Sequence, residues 1–202
     1  MWKCTNCHHI ELSVDQPDHC PVCGVEAEKL ISHDVPGIKG VKTLQNIKNG
    51  FIAESQAHQR NLAFALKADE EGYPQVARLF RAIAEAEGIH AFNHLRLLGG
   101  VEGTQENLES AFERENLASS TYPEFIKEAN EEDNKNVARI FSYSRDVEKG
   151  HAGLYKKALE RMVRDVDTTY FVCGVCGYVS DGEAPDACPI CGAQRDKFKK
   201  VI

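Results

Sequence analysis

The sequence predicts a mainly α protein: a four-helix bundle flanked at each end by a small cysteine ribbon. Three observations carry that expectation. All eight cysteines fall in four Cys-x-x-Cys pairs confined to the two ends, the middle has long helical periodicity, and that middle matches itself when shifted by 61 residues. The expected divisions are residues 1–34, 35–166 and 167–202.

The composition sets the frame for those elements. A chain of 202 residues, 42% hydrophobic and 27% charged, can bury a core, which excludes a disordered or fibrous protein. A net charge of -7 argues against a nucleic-acid ligand, whose phosphates need Lys and Arg gathered on one surface. No stretch reaches the ~18 consecutive apolar residues of a membrane span. The opening MWKCTNCHHI lacks the basic and then apolar pattern of an export signal, so a cytoplasmic location and no membrane partner are expected.

The first ribbon is defined by Cys4, Cys7, Cys20 and Cys23, the second by Cys173, Cys176, Cys188 and Cys191. A Cys-x-x-Cys pair on a tight turn offers two thiolates to one ion, and two such knuckles complete a tetrahedral shell that suits zinc or iron. A disulfide framework would need an oxidising compartment. In the second ribbon both knuckles end in glycine, Gly177 and Gly192, which can take positive φ and turn backbone N–H groups toward the sulfurs. The run Cys173-Gly-Val-Cys176-Gly177-Tyr178 with Cys188-Pro-Ile-Cys191-Gly192 resembles rubredoxin, an iron protein that carries single electrons. One Fe(Cys)4 centre is therefore expected there. In the first ribbon His8 stands where the knuckle glycine would be, so iron or zinc is expected. His8, His9 and His19 are read as solvated loop residues.

Val35-Pro36-Gly37 reads as a linker into the helical middle. Four stripes share helical spacing: Leu44, Ile47, Phe51, Glu54, His58 and Ala65; Leu79, Ile83, Glu87, His90 and Leu97; Leu108, Phe112, Glu115, Ser119 and Tyr122; and Val137, Phe141, Ser144, Glu148, His151, Tyr155 and Met162. The 61-residue shift lays Val76-Ala-Arg-Leu-Phe80 on Val137-Ala-Arg-Ile-Phe141, and carries Glu54 onto Glu115, Glu87 onto Glu148 and His90 onto His151. Two helical hairpins, each too narrow to bury its own stripe, are thus expected to pack as one bundle with four inward glutamates.

Inward carboxylates need a proton, a cation or a metal to offset the cost of burial. Glu87-x-x-His90 and Glu148-x-x-His151 each set a carboxylate and an imidazole one turn apart, and Glu54 and Glu115 add a carboxylate each. That set is the ligand pattern of ferritin-like di-iron proteins. A dinuclear non-haem iron site of the Fe–O–Fe type is expected, with iron favoured over manganese. His58 and His94 are read as packed or orienting groups beside it, and Glu131, Glu132 and Asp133 as solvated helix ends.

The ribbons and the carboxylate helices together resemble rubrerythrin over essentially the whole chain. Gly50-Phe-Ile-Ala-Glu54-Ser-Gln-Ala57 is similar to that family's first-helix signature and Tyr122-Pro123 to its third-helix one. The resemblance implies a peroxidase of oxidative-stress defence: hydrogen peroxide is reduced to water at the di-iron site, and rubredoxin-type iron returns electrons singly. It further implies an electron donor such as rubredoxin or an NAD(P)H-linked reductase. A homodimer or larger is implied as well, with the ribbon of one subunit serving its neighbour.

The chain departs from the family's pattern in several places. Glu115-Asn-Leu-Ala118 lacks a second glutamate that the family usually carries, and one residue is missing between Glu115 and Tyr122, which removes the sequence basis for a π-bulge. Asn61 replaces a common tyrosine, while Tyr122 is retained as a candidate partner of a ligand carboxylate or as packing. Two ribbons stand where one is usual. Ferroxidase or iron-storage activity, and a non-catalytic electron carrier or zinc-ribbon module, are the competing functions.

Overall fold

The computed structural model describes residues 1–11, 13, 15–35, 37–161 and 168–201. The linker residue Pro36, the stripe residue Met162 and the expected boundary at 166/167 lie outside them. Four helices dominate, with a three-stranded ribbon toward each end. The chain divides into two compact units, Met1–Glu102 and Gly103–Ile202, each holding one ribbon and one helical hairpin. Each is described by itself.

In the first unit, β1 (Trp2–Cys4), β2 (Ile10–Glu11) and β3 (Leu30–Ser32) form an antiparallel sheet in the order β2-β1-β3. Its core is little more than Cys4, Cys7, Cys20 and Leu30, against which Trp2, Cys23 and Val25 pack. The hairpin that follows is α1 (Val41–Glu70) and α2 (Pro74–Leu97). In the second unit, α3 (Thr104–Glu131) and α4 (Lys135–Arg161) precede β4 (Tyr170–Cys173), β5 (Val179–Asp181) and β6 (Phe198–Val201), in the order β5-β4-β6.

The repeat seen in the sequence recurs in three dimensions at the hairpin turns. Gly72 ends α1 with φ 80°, and Asp133, its counterpart, ends α3 with φ 59°. In both turns the backbone closes identically: Tyr73 N–H donates to Ala68 O at 2.8 Å and Asn134 N–H to Ala129 O at 2.7 Å. Pro74 then opens α2 where its missing N–H costs nothing. Above each turn a phenylalanine pair crosses the hairpin, Phe64–Phe80 at 5.5 Å and Phe125–Phe141 at 5.8 Å between centroids. The turn-end clefts are lined by matching residues: Phe64, Ala68, Tyr73 and Phe80 in one, Phe125, Ala129, Asn134 and Phe141 in the other.

Alanines make the seam of the first hairpin. Ala77, Ala84 and Ala91 recur every seven residues along α2 and are buried. Small side chains at that spacing let two backbones approach closely along a heptad seam. The larger stripe residues are left outside it, with Leu79 60% and Ile83 41% exposed. Each hairpin thus leaves part of its own stripe uncovered, as the sequence reading expects. α3 runs as unbroken α-helix from Glu115 through Tyr122, with no π turn, as the one-residue shortening implies. No described helix is long and apolar enough to cross a membrane.

Candidate metal centres

The two cysteine quartets are built alike. In the first, Cys4 and Cys23 Sγ lie 3.7 Å apart and Cys7 and Cys20 Sγ 3.6 Å; in the second, Cys173–Cys191 and Cys176–Cys188 are 3.8 and 3.6 Å apart. A tetrahedral ion with metal–sulfur bonds of about 2.3 Å requires sulfurs about 3.8 Å apart. The residues therefore fit a four-thiolate metal, and none of the eight cysteines forms a disulfide. The knuckles are closed by matching hydrogen bonds, His8 N–H to Cys4 O and Gly177 N–H to Cys173 O, each at 3.0 Å. Burial pushes the Cys4 thiol up, and Asn6 N–H, which points at Cys4 Sγ at 3.4 Å, works against that push.

Those thiols cannot all ionise without a cation. Burial pushes Cys7 and Cys176 up, while Cys23, against the upward push of its own burial, is brought down to about 7 by the Val25 amide and neighbouring side chains. Each quartet thus mixes proton-holding and proton-shedding sulfurs, and binding a metal expels the remaining protons.

His8 takes φ 58° where Gly177 takes φ 83°, so the first ribbon keeps the left-handed knuckle at the cost of a non-glycine residue in it. His8 and His9 are not solvated, contrary to the sequence reading. His8 Nδ1 lies 3.3 Å from Glu102 Oε2, far along the chain, and His9 Nε2 lies 3.2 Å from Glu11 Oε2, two residues on. His19 is exposed.

Each hairpin gathers one set of three ligand groups. Glu54 on α1 meets Glu87 and His90 on α2; Glu115 on α3 meets Glu148 and His151 on α4, with the donor atoms of each set within 4.8 Å of one another. In the first set His90 Nδ1 is 2.9 Å from Glu87 Oε2 and 4.0 Å from Glu54 Oε2. In the second His151 Nδ1 is 3.2 Å from Glu148 Oε2 and 3.7 Å from Glu115 Oε1. Burial, with the Glu148 carboxylate beside it, pushes Glu115 up to about 8. Two carboxylates and an imidazole around one point suit a divalent iron or manganese ion, whose charge would replace that proton.

The imidazoles differ in their outward nitrogens. His151 Nε2 lies 3.1 Å from the carbonyl of Gly177, the closing residue of the second ribbon's first knuckle. A carbonyl only accepts, so Nε2 carries the proton and Nδ1 turns a lone pair to the carboxylates. The resemblance places ribbon-to-helix contact across a subunit boundary; this one is made within a single chain.

His58 Nδ1–H donates to Ala84 O at 2.7 Å and stands outside the ligand set. His94 packs against Gly50, with its Nδ1 buried and unpartnered among the described residues. Tyr122 packs its ring against Phe125 and Phe141, each at 6.0 Å, and among the described residues it makes no hydrogen bond to a ligand carboxylate. A different tyrosine lies nearer the second set. Burial and the charges of Glu115 and Glu148 push Tyr155 up, and it lines, with Leu108, His151 and Tyr170, a pocket of about 310 Å³. The sequence held a signal for it, since Tyr155 shares the stripe of Glu148 and the 61-residue shift carries His94 onto it.

Four helices bearing two carboxylate–imidazole sets, with a four-thiolate ribbon on each side, define a metalloprotein of the ferritin-like class joined to rubredoxin-like modules. The sequence pattern of the family described as Rubrerythrin matches residues 45–107 and 106–180, and that of the rubrerythrin rubredoxin-like domain matches residues 2–30 and 171–199. The chain belongs to the rubrerythrin family, whose members are di-iron oxidoreductases. It is 32% identical to rubrerythrin-2 of Clostridium acetobutylicum over 80% of this chain and 98% of that one. It is 35% identical to nigerythrin of Nitratidesulfovibrio vulgaris over 77% and 85%. Among solved structures, mixed-valent nigerythrin aligns at 34% identity over 85% of this chain and 92% of that one, with a TM-score of 0.48.

Proposed function

We propose that this protein reduces hydrogen peroxide to water at iron held by two ligand sets, Glu54, Glu87 and His90 on one hairpin and Glu115, Glu148 and His151 on the other. The observation that carries this reading is the twice-built carboxylate–imidazole set in a chain that also carries four-thiolate sites. When bound, an iron pair supplies two electrons and Lewis acidity at the O–O bond, and a four-sulfur iron resupplies one electron at a time. The balance is one peroxide, two protons and two electrons giving two waters.

The protein's own groups perform the rest. Each glutamate pair offers the negative charge that draws and fixes the cations. His151, with its Nε2 proton committed to Gly177, keeps Nδ1 as a donor atom. Without metal, burial and Glu148 keep the Glu115 carboxyl protonated up to about pH 8, and it would give up that proton to a bound cation. Tyr155 lines one pocket with His151, and burial and the charges of Glu115 and Glu148 keep its hydroxyl protonated. Iron in the second ribbon, iron or zinc in the first, a pyridine-nucleotide-linked or rubredoxin-type donor, a dimeric or larger assembly and a reducing cytoplasm complete the reading.

The test is an anaerobic titration of reduced, iron-quantified protein with hydrogen peroxide, following the visible absorption of the ferric four-thiolate centre. Prompt return of colour, faster with peroxide than with dioxygen, is the expected result. Iron-loaded ribbons that stay colourless would defeat the reading. The unbroken α3, without an added carboxylate after Glu115, favours ferroxidase chemistry as the second reading; there dioxygen would outrun peroxide and added ferrous ion would be consumed.

A further inference from the structure

Glu87 and His90 share one turn of α2, so their 2.9 Å approach is set by local helix geometry. Glu54 is placed differently. It meets them from α1, with Oε2 4.0 Å from His90 Nδ1, so its position depends on the spacing and the axial register of two helices. The seam of Ala77, Ala84 and Ala91 permits close spacing, but small side chains offer few ridges to interlock and leave the register free.

Two contacts, one on each side of Glu54, supply what the seam lacks. One turn after Glu54, His58 Nδ1–H donates to the Ala84 carbonyl at 2.7 Å, three residues before Glu87. One turn before Glu54, Gly50 receives the ring of His94, which lies one turn after His90. Each contact depends on a glycine inside a helix. A Cβ on Gly88 would stand 3.1 Å from His58 Nδ1, and one on Gly50 would stand 2.9 Å from His94 Nε2. Glycine weakens a helix interior, and here both such positions face a histidine ring of the opposite helix. The arrangement is reciprocal: α1 gives a notch and a ring, α2 a ring and a notch. Along α1 the two contacts lie about 12 Å apart with Glu54 midway. The second hairpin has no such pair in its sequence. The 61-residue shift carries Gly50 and Gly88 onto Ala111 and Lys149, and His58 and His94 onto Ser119 and Tyr155. Ser119 Oγ donates to Asn116 O of its own helix.

We propose that His58 and His94 are positioning residues for the first metal set: together they fix the register of α1 on α2 and so hold Glu54 beside Glu87 and His90. Neither is a ligand. His58 acts through a directional hydrogen bond, which resists sliding of one helix along the other. His94 acts through shape, since its ring edge meets bare backbone at Gly50 and its Nδ1 is buried and, among the described residues, unpartnered. The assignment rests on the metal-holding part of the reading above and asks nothing of the reaction.

The test is manganese(II) binding to the full-length protein with zinc in its ribbons, read from loss of the free-ion electron paramagnetic resonance signal. Manganese suits carboxylate and imidazole donors rather than thiolates, and Glu54→Gln marks the first set in the isotherm. All variants are compared where they keep the parent's far-ultraviolet helical signal. His58→Leu, which removes the donor, is expected to weaken the first set about tenfold. His58→Asn, whose Nδ2 can take the place of Nδ1, is expected to restore it. Gly88→Ala crowds the same ring while favouring helix, so it should weaken the ion severalfold even as helix propensity improves. His94→Ala, which empties the notch, should weaken it severalfold as well, and Ser119→Ala should leave binding unchanged. Parent-like affinity in both His58→Leu and Gly88→Ala, or equal loss in His58→Leu and His58→Asn, overturns the role of His58. Parent-like affinity in His94→Ala overturns that of His94. A parent isotherm identical to that of Glu54→Gln instead defeats the metal-holding reading of the first set, and the positioning roles with it.

Discussion

Gly50 on α1 lies so close to the His94 imidazole on α2 that a Cβ there would stand 2.9 Å from Nε2 and 3.1 Å from Cδ2. The ring is packed between the helices with its Nδ1 buried and, among the described residues, unpartnered, so it has little room to give way. Gly50→Ala is therefore expected to destabilise the protein by about 1–2 kcal/mol, the overpacking cost outweighing alanine's helix propensity. Gly153→Ala in α4, where nothing lies within 4 Å of the added carbon, is expected to stabilise by up to about 1 kcal/mol. Urea denaturation of the two variants should give midpoints on opposite sides of the parent, and two shifts of the same sign would refute the packing argument.

Glu115 predicts a pH dependence for the metal-free protein. Its carboxyl holds a proton up to about pH 8 in the folded state but releases it near 4.5 when unfolded, so the folded state binds more protons between those values. Its contribution to stability is complete below about 4.5 and is lost as pH rises toward 8. Denaturation midpoints measured at pH 5, 6.5 and 8 should fall in that order, and Glu115→Gln should flatten the fall. Metal loading should abolish it too, because the cation takes the proton's place.

The paired turn residues Gly72 and Asp133 offer a third test, since both hold left-handed backbone. Gly72→Ala forces a Cβ into that conformation and is expected to cost about 1 kcal/mol. Asp133→Gly relieves the same strain in the second hairpin and is expected to raise Tm by a few degrees at most, offset by the greater freedom of unfolded glycine. A fall in Tm for Asp133→Gly would mean that its side chain contributes more than its backbone costs.

The first ribbon carries the chain's single tryptophan, half-buried Trp2 with its Nε1 in the interior. A core of three cysteines and one leucine cannot hold such a sheet without its ion. Strong chelation should shift tryptophan emission to the red while the far-ultraviolet helical signal persists. Loss of both signals together would show that ribbon and hairpin unfold as one.

Much of the metal chemistry was legible because it is written at short range. Cys-x-x-Cys and Glu-x-x-His place donors within one turn of backbone, and local geometry alone makes them converge. The 61-residue repeat was equally open to view, and Phe64–Phe80 and Phe125–Phe141 show it kept down to ring contacts. Less legible were the seam and the bystanders. Nothing in the leucine and isoleucine stripes marks Ala77, Ala84 and Ala91 as the hairpin seam, where close helix approach rewards small side chains more than apolar area. His8 reads as a loop residue because Glu102, the carboxylate that meets it, lies 94 residues away and is brought there only by folding.

The sequence by itself determined which atoms can bind metal, in what number, and that they come as two ribbons and two helical sets, because spacing along helices and knuckles is a property of a few neighbouring residues. Only the tertiary structure decided that Gly177 meets His151 while its counterpart His8 meets Glu102. Two ribbons of nearly the same backbone were thereby given different neighbours. Such contacts join residues 26 and 94 positions apart, and their choice depends on how a whole ribbon packs along a helix, which no local pattern encodes.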